Sequence, residues 1–238
     1  MRPIGFSTGA VAYSDFRRAL VLLAAEPVNC IELSALRFHE VVPLLDALDT
    51  LDLRRYQYVS LHAPSTFDSD QELFLIEQLQ RVPRGWPIVL HPDTIRNLEA
   101  WRRYGSQLAI ENMDRRKPSG RTVQELERAF EELPDATMCF DIGHARQCDP
   151  SMTEAYKILK TFQHKIRQIH VSEVNTASQH DPISFAARIA FREVASLIPS
   201  RVPVIIESRV TQPEINREIC SVAEALPEYP PVREMTKA

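Results

Sequence analysis

The chain has 238 residues, of which 44% are hydrophobic and 25% charged, and a formal net charge of −4. Such a chain can bury one sizeable core, lies near the roughly 250 residues of a (β/α)8 barrel, and offers no basic field to draw it onto DNA. No stretch approaches the roughly 20 consecutive apolar residues of a membrane span, and Met1-Arg2-Pro3 leads into a strand rather than a secretory signal, so the expectation is a cytoplasmic protein with no membrane partner.

In chain order, the first short apolar run is Ile4 to Ser7, followed by a helical stretch from Asp15 to Ala25. A second run, Cys30 to Leu33, precedes a helix over Glu40 to Leu48 that contains Pro43. Tyr58 to His62 is followed by a helix over Gln71 to Val82, and two further runs come at Pro87 to His91 and Leu108 to Glu111. Thr122-Val123-Gln124-Glu125 has the form of a capping box, which predicts a helix start there; the sixth run, Met138 to Asp141, is followed by a second such box at Ser151-Met152-Thr153-Glu154. Ile166 to His170 and Pro203 to Glu207 complete the runs, with helices over Phe185 to Ile198 and Glu214 to Leu226. Eight Val- and Ile-rich runs with helices between them are the pattern of βα units, and in this length they predict a single-domain α/β fold, a closed (β/α)8 TIM barrel over residues 1–226. Pro227, Pro230 and Pro231 cannot continue a helix, so residues 227–238 read as a tail. Cys30, Cys139, Cys148 and Cys220 show no CxxC spacing and read as reduced, mostly buried thiols.

The polar residues fall where a barrel would gather them. Strands three to eight end on His62, His91, Glu111, Asp141, His170 and Glu207, and active sites of this fold lie at the C-terminal ends of the strands. Any one of these has a structural explanation as a hydrogen-bonded or solvated group. Six at consecutive strand ends bring three carboxylates into one mouth, where they would repel unless cations or histidines offset them. A divalent metal is the simplest offset, and a mixed imidazole and carboxylate set suits zinc, manganese or iron better than calcium. His144 adds a donor just past Asp141, with Gly143 easing the turn, and His180 is a further candidate ligand; His39 and His164 read as solvated.

The segments Ser60-Leu61-His62-Ala63-Pro64, Val89-Leu90-His91-Pro92, Ile110-Glu111-Asn112, Phe140-Asp141-Ile142-Gly143-His144-Ala145, Ile169-His170-Val171 and Ile205-Ile206-Glu207 resemble the xylose isomerase-like barrels. This superfamily contains endonuclease IV together with sugar isomerases and epimerases. The resemblance implies a metal held by Glu111, Asp141, His170 and Glu207, with His144 contacting substrate. It is closest to the endonuclease IV branch, which adds histidines at the positions of His62 and His91 and builds a three-zinc cluster. That branch also has a ligand at the position of His180, but its accompanying aspartate is here Ser178.

A mononuclear site filled by four protein ligands and substrate would leave His62 and His91 without a task, whereas two metals would use them. A two-metal site clamps the attacking and leaving oxygens of an in-line displacement. The resulting expectation is a hydrolase of phosphoester bonds holding two or more ions, zinc first and manganese or iron as alternatives. Its substrate is expected to be a small phosphorylated molecule, DNA being disfavoured by the net charge. Glu111, Glu207 and His144 are the expected catalytic residues. Arg115 and Arg116, in the basic segment 114–121, and Arg37 and Arg209, after strands two and eight, are the expected anion contacts. The alternative is a mononuclear sugar or sugar-acid isomerase or epimerase in which Glu111 and Glu207 pass a proton. A barrel keeping these ligands only for stability or binding is the third reading.

Overall fold

In the computed structural model, which describes residues 2–228, eight parallel strands close into a barrel. They are β1 (Ile4–Ser7), β2 (Cys30–Ser34), β3 (Tyr58–His62), β4 (Ile88–Leu90), β5 (Leu108–Glu111), β6 (Thr137–Asp141), β7 (Ile166–Val171) and, closing against both β1 and β7, β10 (Val204–Ile206). Two short strands between them, β8 (Glu173–Val174) and β9 (His180–Asp181), form a separate antiparallel ladder. All eight predicted runs are strands, though His91 and Glu207 stand one residue past the regular ends of β4 and β10. Residues 229–238 of the expected tail lie outside the described residues.

Each barrel strand is followed by helical segments on the outside. Successive strand side chains point to opposite faces, so Phe6 and Phe140 face outward while Ser7, Cys139 and Asp141 face the barrel interior. The apolar core is the layer between strands and helices, where Phe6, Leu23, Trp101, Phe140 and Phe191 are completely buried. Pro43 is accommodated as the third residue of the helix Val41–Ala47, a position where the missing N–H costs no intrahelical bond. Thr122 caps the helix Val123–Glu132, accepting from Glu125 N.

The Ser151 capping box is not formed. Met152, left-handed at φ 60°, stands at the N-cap of the helix Thr153–Phe162, and Asp149 Oδ2 takes the Glu154 N–H instead. The reason is local competition: Asp149 also binds the amide and hydroxyl of Ser151, whose Oγ then accepts from Thr153 N at 3.3 Å rather than from Glu154 N. The thiols are unpaired as expected, but only Cys30 and Cys139 are fully buried; Cys220 is exposed. Among the described residues, no helix is long and apolar enough to cross a membrane.

Candidate metal centre at the barrel mouth

His62, Glu111, Asp141 and His170 are all at most 3% exposed, and they converge at the C-terminal ends of β3, β5, β6 and β7. Glu111 stands between the histidines. Its Oε2 lies 3.2 Å from His62 Nε2 and 3.1 Å from His91 Nε2, and its Oε1 lies 3.1 Å from His170 Nδ1 and 3.6 Å from His144 Nδ1. Glu207 Oε2 approaches His170 Nδ1 at 3.4 Å and His180 Nδ1 at 3.5 Å. Three groups of donor atoms each lie within 4.8 Å of one another: His62, Glu111 and His170; Glu111, Asp141, His170 and Glu207; and Asp141, His144 and His180. The groups share Glu111, His170 and Asp141, so they form one continuous cluster.

The surrounding backbone holds several of these side chains in place. Asp141 ends β6 and caps the helix Ile142–Cys148, its Oδ1 accepting from His144 N at 2.6 Å. Asn112 pairs with the Asp141 backbone through both N–H and C=O, at 2.8 Å each, which ties β5 to β6 at the site. Gly143 serves a closer purpose than easing a turn: a Cβ there would lie 2.4 Å from Ser172 O, so only glycine lets this helix start against β7. His180 is delivered by the β8–β9 ladder, and its Nδ1 meets Ser172 Oγ at 2.9 Å.

Two contacts fix imidazole protons without appeal to a metal. His62 Nδ1 is 2.6 Å from Ala63 O and His144 Nδ1 is 3.0 Å from Asn112 O; a carbonyl only accepts, so both Nδ1 atoms carry hydrogen. A neutral His62 would therefore turn its Nε2 lone pair onto the Glu111 carboxylate. Such a contact needs a proton or a cation.

The titration behaviour of the cluster follows. Burial disfavours the charged form of His62, but its hydrogen bond to Glu111 and the nearby carboxylates outweigh this and raise it to about 9. Burial and the negative charges of Glu207 and Glu111 push Asp141 well up, while His91 is pushed down by burial. Burial opposes ionisation of Glu111 too, yet His170 and the three histidine hydrogen bonds hold it well below the carboxylate range. Protons on the histidines thus compensate the carboxylates. Asp141 Oδ2, buried without a hydrogen-bond partner, marks where a cation would do better. The donor set therefore fits a divalent metal.

Above the cluster opens a cavity of about 230 Å³ lined by Ser7, His62, His91, Lys117, His180 and Arg209 among others. Arg116 also lines it, bound to Asp114 Oδ1 at 3.4 Å and Ser178 O at 3.3 Å. Of the four expected anion contacts, only Arg116 and Arg209 reach this wall. Arg37 is exposed and paired with Glu40 at 2.6 Å, and Arg115 is exposed with its backbone N on Gln147 Oε1. A larger groove, about 640 Å³, lies at the other end of the barrel around Trp86 and Arg167, with neither carboxylate nor histidine in its lining.

The sequence reading missed three polar residues at the site. Lys117 projects into the mouth, held by Asp93 Oδ2 at 2.9 Å and Ser65 O at 3.2 Å. Gln168 and Glu32 lie in the interior under His170, both fully buried. Gln168 was visible by its spacing, two residues before His170 and so on the same strand face, and Glu32 as the one charge in the apolar run Cys30-Ile31-Glu32-Leu33. Ser178 is left-handed at φ 52° and donates to Asp114 Oδ1 at 2.9 Å.

A family profile described as xylose isomerase-like TIM barrel matches residues 40–222. No curated protein matches the sequence. Among solved structures, a xylose isomerase domain protein from Alicyclobacillus acidocaldarius is 14% identical, with TM-score 0.64, over 94% of this chain and 99% of that one. A 3-keto-D-glucoside 4-epimerase from E. coli is similar over the same shares, at 14% identity and TM-score 0.54. A racemase from Streptomyces coelicolor with bound magnesium shares 14% identity, with TM-score 0.53, over 89% of this chain and 58% of that one. At these identities the likeness is one of fold.

Proposed function

The chain belongs to the xylose isomerase-like TIM barrel family, and on that premise we propose that it is a divalent-metal hydrolase of phosphoester bonds acting on a small phosphorylated substrate. The observation that carries this reading is the placement of Glu111. One of its oxygens faces His62 and His91 and the other faces His170, so two cations held there would share this single carboxylate. A mononuclear centre would use Glu111, Asp141, His170 and Glu207 and leave His62 and His91 idle. Imidazole-rich donors favour zinc over the harder cations. Ions held there would supply Lewis acidity and lower the pKa of water to about 7.

The chain's own residues would do the remainder. Arg209, whose side chain has no hydrogen bond or ion pair among the described residues, and Lys117 bring positive charge to the cavity wall, where an anionic phosphate would be bound and oriented. Glu207, beside His170 and His180 at the cavity edge, is placed to accept a proton from an attacking water, and His144 to contact the substrate. A cavity of about 230 Å³ takes a small molecule rather than a duplex, and the net charge of −4 agrees.

The group Glu111, Asp141, His170 and Glu207 also supports a second reading, a mononuclear sugar or sugar-acid isomerase or epimerase in which the two glutamates pass a proton. Metal analysis separates the two. Two or more equivalents per chain, with at least one lost in His62→Ala, together with cleavage of small phosphomonoesters or diesters, is the expected result. One equivalent unaffected by that substitution, with turnover of ketoses or sugar acids, would replace the hydrolase by the isomerase.

A further inference from the structure

Beneath the metal ligands, the barrel interior holds a carboxylate that neither reaction uses. Glu32, on β2, is completely buried; its Oε2 accepts from Ser60 Oγ on β3 at 3.0 Å and Gln168 Nε2 on β7 at 2.7 Å, and lies 3.0 Å from His170 Nε2. The opposite nitrogen of His170, Nδ1, faces Glu111 Oε1 at 3.1 Å and Glu207 Oε2 at 3.4 Å. The imidazole thus spans the distance from a carboxylate below to the cluster above.

We propose that Glu32 is a positioning residue for the metal centre: by accepting a hydrogen bond from His170 Nε2–H, it selects the tautomer whose Nδ1 lone pair faces the cation position shared with Glu111, Asp141 and Glu207. The inference rests on the metal-binding part of the reading above and not on the class of reaction. A ring nitrogen that binds a cation must carry no hydrogen, so the partner of the other nitrogen decides which end of the ring ligates.

Two neighbours of Nε2 compete for that decision. Gln168 Nε2 lies 2.8 Å away and could donate only to a bare Nε2, whereas Glu32 holds a hydrogen there. Glu32 prevails for two reasons. A hydrogen bond to a carboxylate is about twice as strong as one between neutral groups. The Gln168 amide is also already engaged: its Oε1 accepts from the Tyr58 hydroxyl at 2.6 Å, which turns its nitrogen toward Glu32.

Packing does not explain the residue. Glu32 Oε1 is buried with no hydrogen-bond partner, a desolvation cost that a leucine at this position would not incur.

The test is zinc titration of metal-free wild type, Glu32→Leu and Glu32→Gln against a competing chelator. It is paired with nitrogen-15 spectra of the histidine rings in the zinc-loaded protein and thermal unfolding of the metal-free forms. Glu32→Leu is expected to weaken zinc binding of the folded protein roughly 10–100-fold, the usual cost of losing such a partner, while the orphaned Ser60 and Gln168 donors lower its metal-free stability. Glu32→Gln keeps an acceptor oxygen and should lose less; wild-type His170 should show Nε2–H with Nδ1 coordinated. Equal zinc affinity in wild type and a folded Glu32→Leu, or coordination of wild-type His170 through Nε2, overturns the proposal alone. Should Glu32→Leu not fold, the ring spectra and Glu32→Gln still decide. A wild type that binds no zinc overturns the metal reading together with it.

Discussion

Outside the barrel, strand and helix meet through Phe6, Leu23, Trp101, Phe140 and Phe191, each with no exposed surface, in one continuous apolar layer. Inside it, apolar contact shrinks to Val89, Ala109 and Cys139 on the wall formed by β4, β5 and β6. The strands flanking that wall, β7 on one side and β3 and then β2 on the other, carry Glu32, Ser60, Gln168 and His170. The two faces of the same strands therefore do different work. The outer face supplies hydrophobic stabilisation, while the inner face carries buried polar groups whose desolvation is recovered only through their network and the cation it fits.

The inner face should break first in activity. Glu111→Gln removes the charge that three histidines face, and with several kcal/mol of electrostatic stabilisation at stake kcat/KM is expected to fall by at least about 10³-fold. Urea unfolding of the same variant in chelator should show a far smaller relative change. The outer face should break the other way. Trp101→Ala empties a fully buried position and is expected to cost about 3–5 kcal/mol in urea unfolding, with metal content per folded molecule unchanged. If Trp101→Ala lost metal while keeping its stability, the division of labour between the faces would be wrong.

Proton balance sharpens the same contrast. In the metal-free protein His62 is raised to about 9 from an ordinary value near 6.5, so its contribution to stability is complete below about 6.5 and is lost as pH rises toward 9. Asp141, pushed up by burial, has the same sign, since its neutral form is the one the fold prefers. His91, pushed down, acts only below its ordinary value and leaves this window alone. Burial opposes charging of His170, but the surrounding carboxylates hold it well above its ordinary value and it adds in the same sense, so thermal unfolding in chelator should show stability falling between about pH 6.5 and 9. Saturating zinc, which displaces the His62 proton, should flatten the slope. A metal-free protein whose stability rises over that range would contradict the proton balance of the cluster.

Most of the barrel was legible because its strands, covered on both sides, read as continuous apolar runs, and because ligands at strand ends interrupt those runs. What escaped lacks either signal. The helices Thr8–Ala12, Leu98–Arg102 and Ile142–Cys148 are five to seven residues long, too short for a period of 3.6 to show. The β8–β9 ladder has two residues per strand, so His180 reads as a loop residue although the ladder presents it to Glu207. Arg37 and Arg115 read as anion contacts because charge in a loop carries no direction. Glu40, three residues on, holds Arg37 away from the mouth, while unremarked Lys117 in the same basic segment as Arg115 points into it.

The smallest effect tests the finest of these distinctions, between two helix starts that look alike in sequence. Thr122 accepts from Glu125 N, so Thr122→Ala should cost about 1 kcal/mol. Ser151→Ala should cost less, about 0.5 kcal/mol, because the N–H of Glu154 is taken by Asp149 and Ser151 Oγ accepts only the long 3.3 Å bond from Thr153 N. Asp149→Ala should then cost about what Thr122→Ala does, since it removes the acceptor that performs the capping. Equal losses in Ser151→Ala and Thr122→Ala would mean that the serine caps its helix after all. A larger loss in Asp149→Ala than in Ser151→Ala would show that a competing acceptor two residues upstream overrides the box, because it satisfies the same orphan amide from a backbone already turned by Met152.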